Sequence, residues 1–158
     1  MTEQHEVSTQ HITATIALAG AQQATIATHG TPGPGSYIAV TYAGLMIWLY
    51  DQRAVTTYRT PWNEGAARIY AAALPVSRQL AATAAGGYSP TIAVRATGAD
   101  RPDIYPRKSA LIVQVGNITW AVYDRAAYDD QVALWRKVDR LAKLVLPRSY
   151  DRRPRRAK

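Results

Sequence analysis

GLMIWLYDQRA, at Gly44–Ala54, decides the fold, because a close variant of it returns as NITWAVYDRAA at Asn117–Ala127. The match extends upstream, where YIAVTYAGLMIWLYDQRA and ALIVQVGNITWAVYDRAA align without a gap. In this alignment the pair Tyr50-Asp51 lies over Tyr123-Asp124. Self-similarity of this kind indicates a duplicated structural unit.

The similarity continues in the same order on both sides of this stretch. Trp62 aligns with Trp135, and the upstream segments Ile12–Gly20 and Pro90–Gly98 resemble one another. We therefore predict a single domain over residues 11–147, built from one repeat at 11–87 and a second at 88–147. A chain of 158 residues is long enough for one such domain with a buried core.

Each repeat reads as four strands followed by a helix. Ile12–Ala19 alternates apolar and polar residues, as a half-buried strand does. Further strands are predicted at Ala24–Thr28, Tyr37–Tyr42 and Leu45–Tyr50 in the first repeat, and at Thr91–Thr97, Asp103–Arg107, Leu111–Val115 and Ile118–Tyr123 in the second. The predicted fold class is α+β, with two tandem ββββα repeats forming antiparallel sheets packed against helices.

The helices are predicted from capping residues and apolar spacing. In the first repeat, Thr60 is the predicted N-cap with Pro61 at the first helical position, and the helix ends at Gly86-Gly87. Its apolar stripe comprises Trp62, Ala66, Ile69 and Ala73. The second helix is predicted from about Asp129 to Leu146. Both Trp62 and Trp135 fall on apolar stripes and should be core residues. The aspartates of the repeated Tyr-Asp pair are expected to close a turn or cap the segment that follows.

Composition and the chain termini narrow the function classes. The sequence has no cysteine, and its first ten residues are polar without the apolar run of a signal peptide. Residues 1–10 are predicted to be disordered. No apolar run is long enough for a membrane-spanning helix, which needs roughly 20 residues. We therefore expect a soluble, cytoplasmic protein with no membrane partner.

The C-terminal segment RSYDRRPRRAK, at Arg148–Lys158, holds six basic residues and one acidic residue, and so +5 of the net charge of +8. A segment of this composition cannot form a packed core and is predicted to be disordered. Such tails are attracted to phosphate backbones. The predicted phosphate contacts are Arg152, Arg153, Arg155 and Arg156. The alternative is a tail that serves solubility alone.

The repeat alignment assigns the two faces of each sheet. Alternate residues of Leu45–Leu49 and of Ile118–Val122 are large and apolar in both copies, and should face the helices. The opposite face holds Trp48, whose repeat partner is Ala121. Aromatic rings interleaved with arginine suit stacking on unpaired bases. The predicted binding face consists of Tyr37, Trp48, Tyr50, Arg95, Tyr105, Arg107 and Tyr123.

A second interpretation of the same face stays open. The chain has ten Tyr and four Trp but no Phe, which favours partly solvent-exposed positions for its aromatic residues. Aromatic residues occur in protein interfaces as well as in base-stacking sites. In this alternative the protein is a non-catalytic structural or adaptor protein, and the aromatic face binds another protein.

Catalysis is not predicted. The three histidines, His5, His11 and His29, form no metal-ligand spacing, and there is no nucleophile–base constellation. The loop GTPGPG, at Gly30–Gly35, contains two prolines, which lack the N–H groups of a phosphate cradle. We predict no cofactor, no metal site and no catalytic residue.

The order of predicted elements resembles a known family. ITATIALAG, QQATIAT, SYIAVTYA, LMIWLYD and PWNEGAARIYAAAL, followed by the second set ending in DDQVALWRKVDRLAKLVL, is similar to the duplicated unit of Whirly and PUR-type single-strand nucleic-acid-binding domains. The resemblance covers about residues 11–147 and is one of topology. It implies that the sheets bind single-stranded DNA or RNA, and that subunits form dimers or tetramers through their helices.

Overall fold

A computed structural model of the chain describes residues 13–42, 44–77, 92–96 and 101–150. These residues form eight strands and three helices. The strands are β1 (Ala14–Leu18), β2 (Thr25–His29), β3 (Tyr37–Tyr42), β4 (Leu45–Leu49), β5 (Ile92–Ala96), β6 (Pro102–Arg107), β7 (Ala110–Val115) and β8 (Ile118–Val122). The helices are α1 (Gln52–Glu64), α2 (Ala66–Ala71) and α3 (Arg125–Val145).

The strands form two four-stranded sheets. Sheet 1 has the order β1-β8-β7-β6, and sheet 2 has the order β2-β3-β4-β5. The predicted α+β class with two sets of four strands and a helix is confirmed. Most neighbouring strands are antiparallel, but each sheet also contains one parallel pair, β1 with β8 and β4 with β5. The sequence did not predict these parallel pairs.

The parallel pairs arise because the two halves of the chain exchange their first strands. Strand β1 adds to the last strand of the second half, and β5 adds to the last strand of the first half. The backbone bonds at the two junctions correspond: Ala14 N donates to Asn117 O and Ile92 N donates to Gly44 O, both at 2.9 Å. Each sheet therefore contains strands from both halves, and the halves form one structural unit.

The inner faces of both sheets share one core with the helices. The predicted inward residues of β4 and β8 are all buried, so that face assignment is confirmed: Leu45, Ile47, Leu49, Ile118, Trp120 and Val122. Trp62 and Trp135 are 1% and 0% exposed, which confirms both as core residues. Tyr58 of α1 stacks on Trp135 of α3 with ring centroids 5.4 Å apart, and this contact joins the two helices.

The helix boundaries differ from those predicted. Asp51 caps α1, with its Oδ1 accepting from Ala54 N at 2.7 Å, and Asp124 caps α3 in the same way from Ala127 N at 2.8 Å. The expected capping role of the Tyr-Asp pair is thus confirmed. The predicted N-cap at Thr60 is wrong, since α1 starts at Gln52 and its Pro61 lies inside the helix. The Asp51 carboxylate satisfies the backbone N–H of the first turn, and Pro61 is tolerated close to the end of the same helix.

The end of the first helix was also predicted too late. Helix α1 ends at Glu64 and α2 ends at Ala71, after which Ala73 adopts a positive φ of 50°. The helix is interrupted at Gly65, so the predicted apolar stripe does not continue along one face. Ala66 and Ala73 are exposed, whereas Ile69 is buried. Helix α3 begins at Arg125, earlier than predicted, because Asp124 caps it. Gly86-Gly87 lies outside the described residues.

Gly65, between α1 and α2, lies close to Tyr128 of α3. A Cβ built on Gly65 would lie 2.8 Å from Pro61 O and 3.0 Å from the hydroxyl of Tyr128, which donates to Trp62 O. Gly65 has an ordinary helical φ of −71°, so without this crowding an alanine would stabilise the fold by about 0.4–1 kcal/mol. We expect Gly65→Ala instead to lower the free energy of unfolding by about 1–3 kcal/mol in urea denaturation. A stabilised variant would contradict the packing described.

One hydrogen bond lies in the middle of the core. The Tyr42 hydroxyl donates to Gln131 Oε1 at 2.7 Å. Burial raises the pKa of Tyr42 well above its usual range, so this hydroxyl remains a donor. The indoles of Trp135 and Trp120 lie beside it and oppose part of that shift, but their N–H groups do not reach hydrogen-bond geometry with any described acceptor. Burial likewise raises the pKa of Tyr128 to about 12.

The predicted disordered ends fall largely outside the described residues. This holds for residues 1–10 and for Arg152, Arg153, Arg155 and Arg156. The first three residues of the predicted tail are described and exposed, and Tyr150 is attached to the domain: its N donates to Asp51 Oδ2 at 2.9 Å. The chain thus contacts the domain three residues beyond the predicted boundary at Pro147. None of the described helices is long and apolar enough to cross a membrane.

Candidate nucleic-acid interface

The outer face of sheet 2 carries three of the predicted site residues close together. Tyr37 begins β3, Trp48 lies in β4, and Tyr50 directly follows β4, so strand alternation directs all three away from the core. The ring centroid of Tyr37 lies 5.9 Å from that of Trp48 and 5.4 Å from that of Tyr50. All three side chains are half-buried against one another.

Two further rings extend this group. His29 lies directly opposite Tyr37 in the sheet and stacks on it, with centroids 4.6 Å apart and an interplanar angle of 14°. Tyr150 reaches the other end, with its ring 5.7 Å from that of Tyr50. We call His29, Tyr37, Trp48, Tyr50 and Tyr150 the aromatic cluster. The sequence analysis missed His29 and Tyr150.

Arg95 reaches the aromatic cluster through the strand exchange. Strand β5 pairs with β4 so that Arg95 lies directly opposite Trp48, and its guanidinium carbon is 5.5 Å from the ring centroid. Such an exposed cation–π contact contributes about 0.5–1 kcal/mol, whereas a base stacked on an aromatic ring contributes about 1–3 kcal/mol. A base can therefore displace Arg95 from Trp48, which frees the guanidinium to pair with a phosphate.

The charges of this face favour an anionic ligand. The outward positions of the four strands of sheet 2 hold no acidic residue: they are Thr25, Ala27, His29, Tyr37, Ala39, Thr41, Met46, Trp48, Ala93 and Arg95. The Asp51 carboxylate, next to Tyr50 in sequence, is buried and accepts backbone hydrogen bonds from Ala54 and Tyr150. Among the described residues of these four strands, a phosphate group would therefore meet no exposed carboxylate.

The remaining predicted residues lie on the other sheet. Tyr105 and Arg107 belong to β6 and Tyr123 follows β8, so all three are on the outer face of sheet 1. The Arg107 guanidinium carbon lies 5.9 Å from the Tyr105 ring centroid. The face that the sequence analysis assembled as one is thus divided between two sheets. The four arginines of the predicted tail lie outside the described residues.

The described part of the chain contains no group of three or more His, Cys, Asp or Glu side chains that could hold a metal ion. We found no family model that matches the sequence, and no significant match among curated proteins or among solved structures.

Proposed function

We propose that the protein binds single-stranded DNA or RNA with little sequence specificity, through the aromatic cluster and the basic C-terminal tail. The observation that carries the proposal is the cluster itself: five rings, joined by centroid distances of 4.6 to 5.9 Å, lie beside Arg95 on the outer face of a sheet. Stacking on aromatic rings tolerates any base, because every base has a π-face.

The position of Tyr150 supports a joint role for the cluster and the tail. Tyr150 is the last described residue, and its ring lies against Tyr50 at one end of the aromatic cluster. The basic segment therefore continues from the face on which the bases would stack. Arginine pairs with phosphate in a bidentate manner, so the tail would add affinity without sequence preference.

We also propose a relationship to the Whirly and PUR-type domains, supported by the order of four strands and a helix that occurs twice. We further propose that the protein is cytoplasmic and non-catalytic, and that it forms dimers or tetramers. The alternative, an adaptor protein whose aromatic face binds another protein, predicts no preference for single strands.

A salt titration tests the proposal. Binding to a labelled single strand of about 30 nucleotides and to its duplex is measured for the full chain and for a chain ending at Tyr150. Removing five basic residues should flatten the slope of log Kd against log salt by about 3.5 if each contacts one phosphate, since each lost phosphate contact changes the slope by about 0.7 on single strands. The shortened chain should still prefer the single strand. Complete loss of binding, or equal affinity for both forms, would contradict a role for the sheet.

A further inference from the structure

The outer face of sheet 1 contains a concave pocket of about 460 Å³. This volume lies within the range of about 300–1,000 Å³ that is usual for small-molecule sites. The pocket is lined by Thr15, Tyr105, Arg107, Lys108, Ser109, Ala110, Ile112, Thr119, Ala121 and Tyr123. It is separate from the aromatic cluster, which lies on sheet 2.

The pocket exists because the second half of the chain has small residues at positions where the first half has large aromatic ones. Ala121 aligns with Trp48, and Ala110 aligns with Tyr37. Ala17 lies directly opposite Ala121 in β1, just as an arginine lies opposite Trp48 in sheet 2. The same backbone arrangement therefore presents a filled aromatic surface on one sheet and an open concavity on the other.

The floor of the pocket is apolar. Ala110, Ile112 and Ala121 are 4%, 7% and 6% exposed and form a cluster of their own, apart from the main core. Tyr105 and Tyr123 pack against this floor. An apolar sheet surface beside two aromatic rings fits a planar aromatic ring, which can lie against the floor and contact the tyrosines.

The rim of the pocket is cationic and rich in hydroxyl groups. Arg107 and Lys108 are exposed, and no acidic residue is among the lining residues that the structure describes. Thr15, Ser109 and Thr119 provide hydroxyls that can donate to or accept from a sugar or the edge of a base. Because two cations line the pocket and no described lining residue is a carboxylate, the rim favours an anionic group of the ligand. A phosphate fits best, since the arginine guanidinium matches its geometry.

We propose that this pocket binds a single nucleotide, with the base on the floor of Ala110, Ile112 and Ala121 and the phosphate on Arg107 and Lys108. The inference deepens the proposed function and rests on it where the nucleotide is one unit of a bound strand. A free nucleotide has the same chemistry and would occupy the same place. Sheet 2 would then stack several bases, whereas sheet 1 would hold one.

The test uses AMP and adenosine, titrated into the full ¹⁵N-labelled chain and followed by NMR. AMP should shift the amide signals of Ile112, Thr119 and Ala121. Adenosine should bind about tenfold more weakly, because it lacks the group that forms charge-assisted hydrogen bonds. Arg107→Gln should remove most of that difference. Arg136→Gln is the matched control, since it removes the same charge from an exposed position on α3 and should leave AMP affinity unchanged.

A second variant fills the pocket with the side chain found on the other sheet. Ala121→Trp should weaken AMP binding at least about tenfold, because the indole would occupy the space of the base. Displacement of AMP by a single strand would identify a strand unit as the ligand, and retention beside a saturating strand would identify a free nucleotide; either supports the pocket.

Three results would overturn the inference. AMP could leave the three amide signals unshifted, or bind Ala121→Trp as tightly as the unaltered chain. Sedimentation could also show that Ala121→Trp dissociates a dimer while AMP does not bind, in which case a second copy covers this face. Quenching of Trp48 by an oligonucleotide is independent of all three, so failure of the nucleotide pocket is distinguishable from failure of the proposed function.

Discussion

Replacing Trp48 with alanine should weaken binding to a single-stranded oligonucleotide by about 5- to 150-fold and leave binding to duplex DNA unchanged. The range corresponds to the loss of about 1–3 kcal/mol for one stacked base. Duplex bases are already stacked on each other and cannot reach the ring. Trp48 is half-buried on an outer sheet face, so its removal should cost the core little.

Tryptophan fluorescence gives a direct measurement for this prediction. The other three tryptophans, Trp62, Trp120 and Trp135, are at most 1% exposed, so quenching by an oligonucleotide reports on Trp48. Met46→Ala is the matched control, because Met46 lies on the same face of the same strand but outside the aromatic cluster. Equal losses on single strand and duplex would exclude stacking. Emission that responds only to dilution of the protein would favour the adaptor alternative.

Replacing Asp124 with alanine should have the largest effect on stability, and should lower the free energy of unfolding by about 2–5 kcal/mol. The Asp124 carboxylate is fully buried. Its Oδ1 caps α3 through Ala127 N, and its Oδ2 accepts from Gly20 N at 2.6 Å, just after β1. The change removes the helix cap at Ala127 N, which contributes about 0.5–2 kcal/mol, and leaves the partly buried Gly20 N–H unpaired, at about 1–3 kcal/mol.

Urea denaturation of Asp124→Ala and Asp124→Asn separates the two contributions. Asparagine can still cap the helix through its carbonyl oxygen, but it would direct an amide N–H₂ toward Gly20 N and lose that contact. Its loss of stability should therefore fall between those of the unaltered chain and the alanine variant. If alanine costs less than about 1 kcal/mol, the carboxylate does not hold the strand to the helix.

Local periodicity in the sequence was sufficient to predict which strand residues face the core. Leu45 and Ile47 were placed toward the core because side chains alternate along a strand, and the repeat gave the same answer at Trp120. Tyr37, Trp48 and Tyr50 were grouped on one face for the same reason. These features depend on neighbours within a few residues, so the sequence contains the information needed to predict them.

Features set by distant contacts were not predictable in this way. The pairings of β1 with β8 and of β4 with β5 have no local signal. The second of them places Arg95 beside Trp48 and so separates it from Tyr105, which lies on the other sheet. Thr60 and Pro61 are residue types typical of a helix N-terminus, yet the helix already begins after the N-cap Asp51. Tyr150 was assigned to the tail by composition, although a backbone hydrogen bond to Asp51 holds it against the fold.

The exchange of first strands also affects how the protein folds during translation. Gly20 and the carboxylate that binds its backbone, Asp124, are 104 residues apart in the chain. A ribosome adding about 5–20 residues each second needs about 5–20 s to cover that distance. Strand β1 is therefore made about 100 residues before its partner β8. Sheet 1 can be completed only once β8 has been synthesised, so β1, the first of the described strands to be made, stays unpaired until the last of them has left the ribosome.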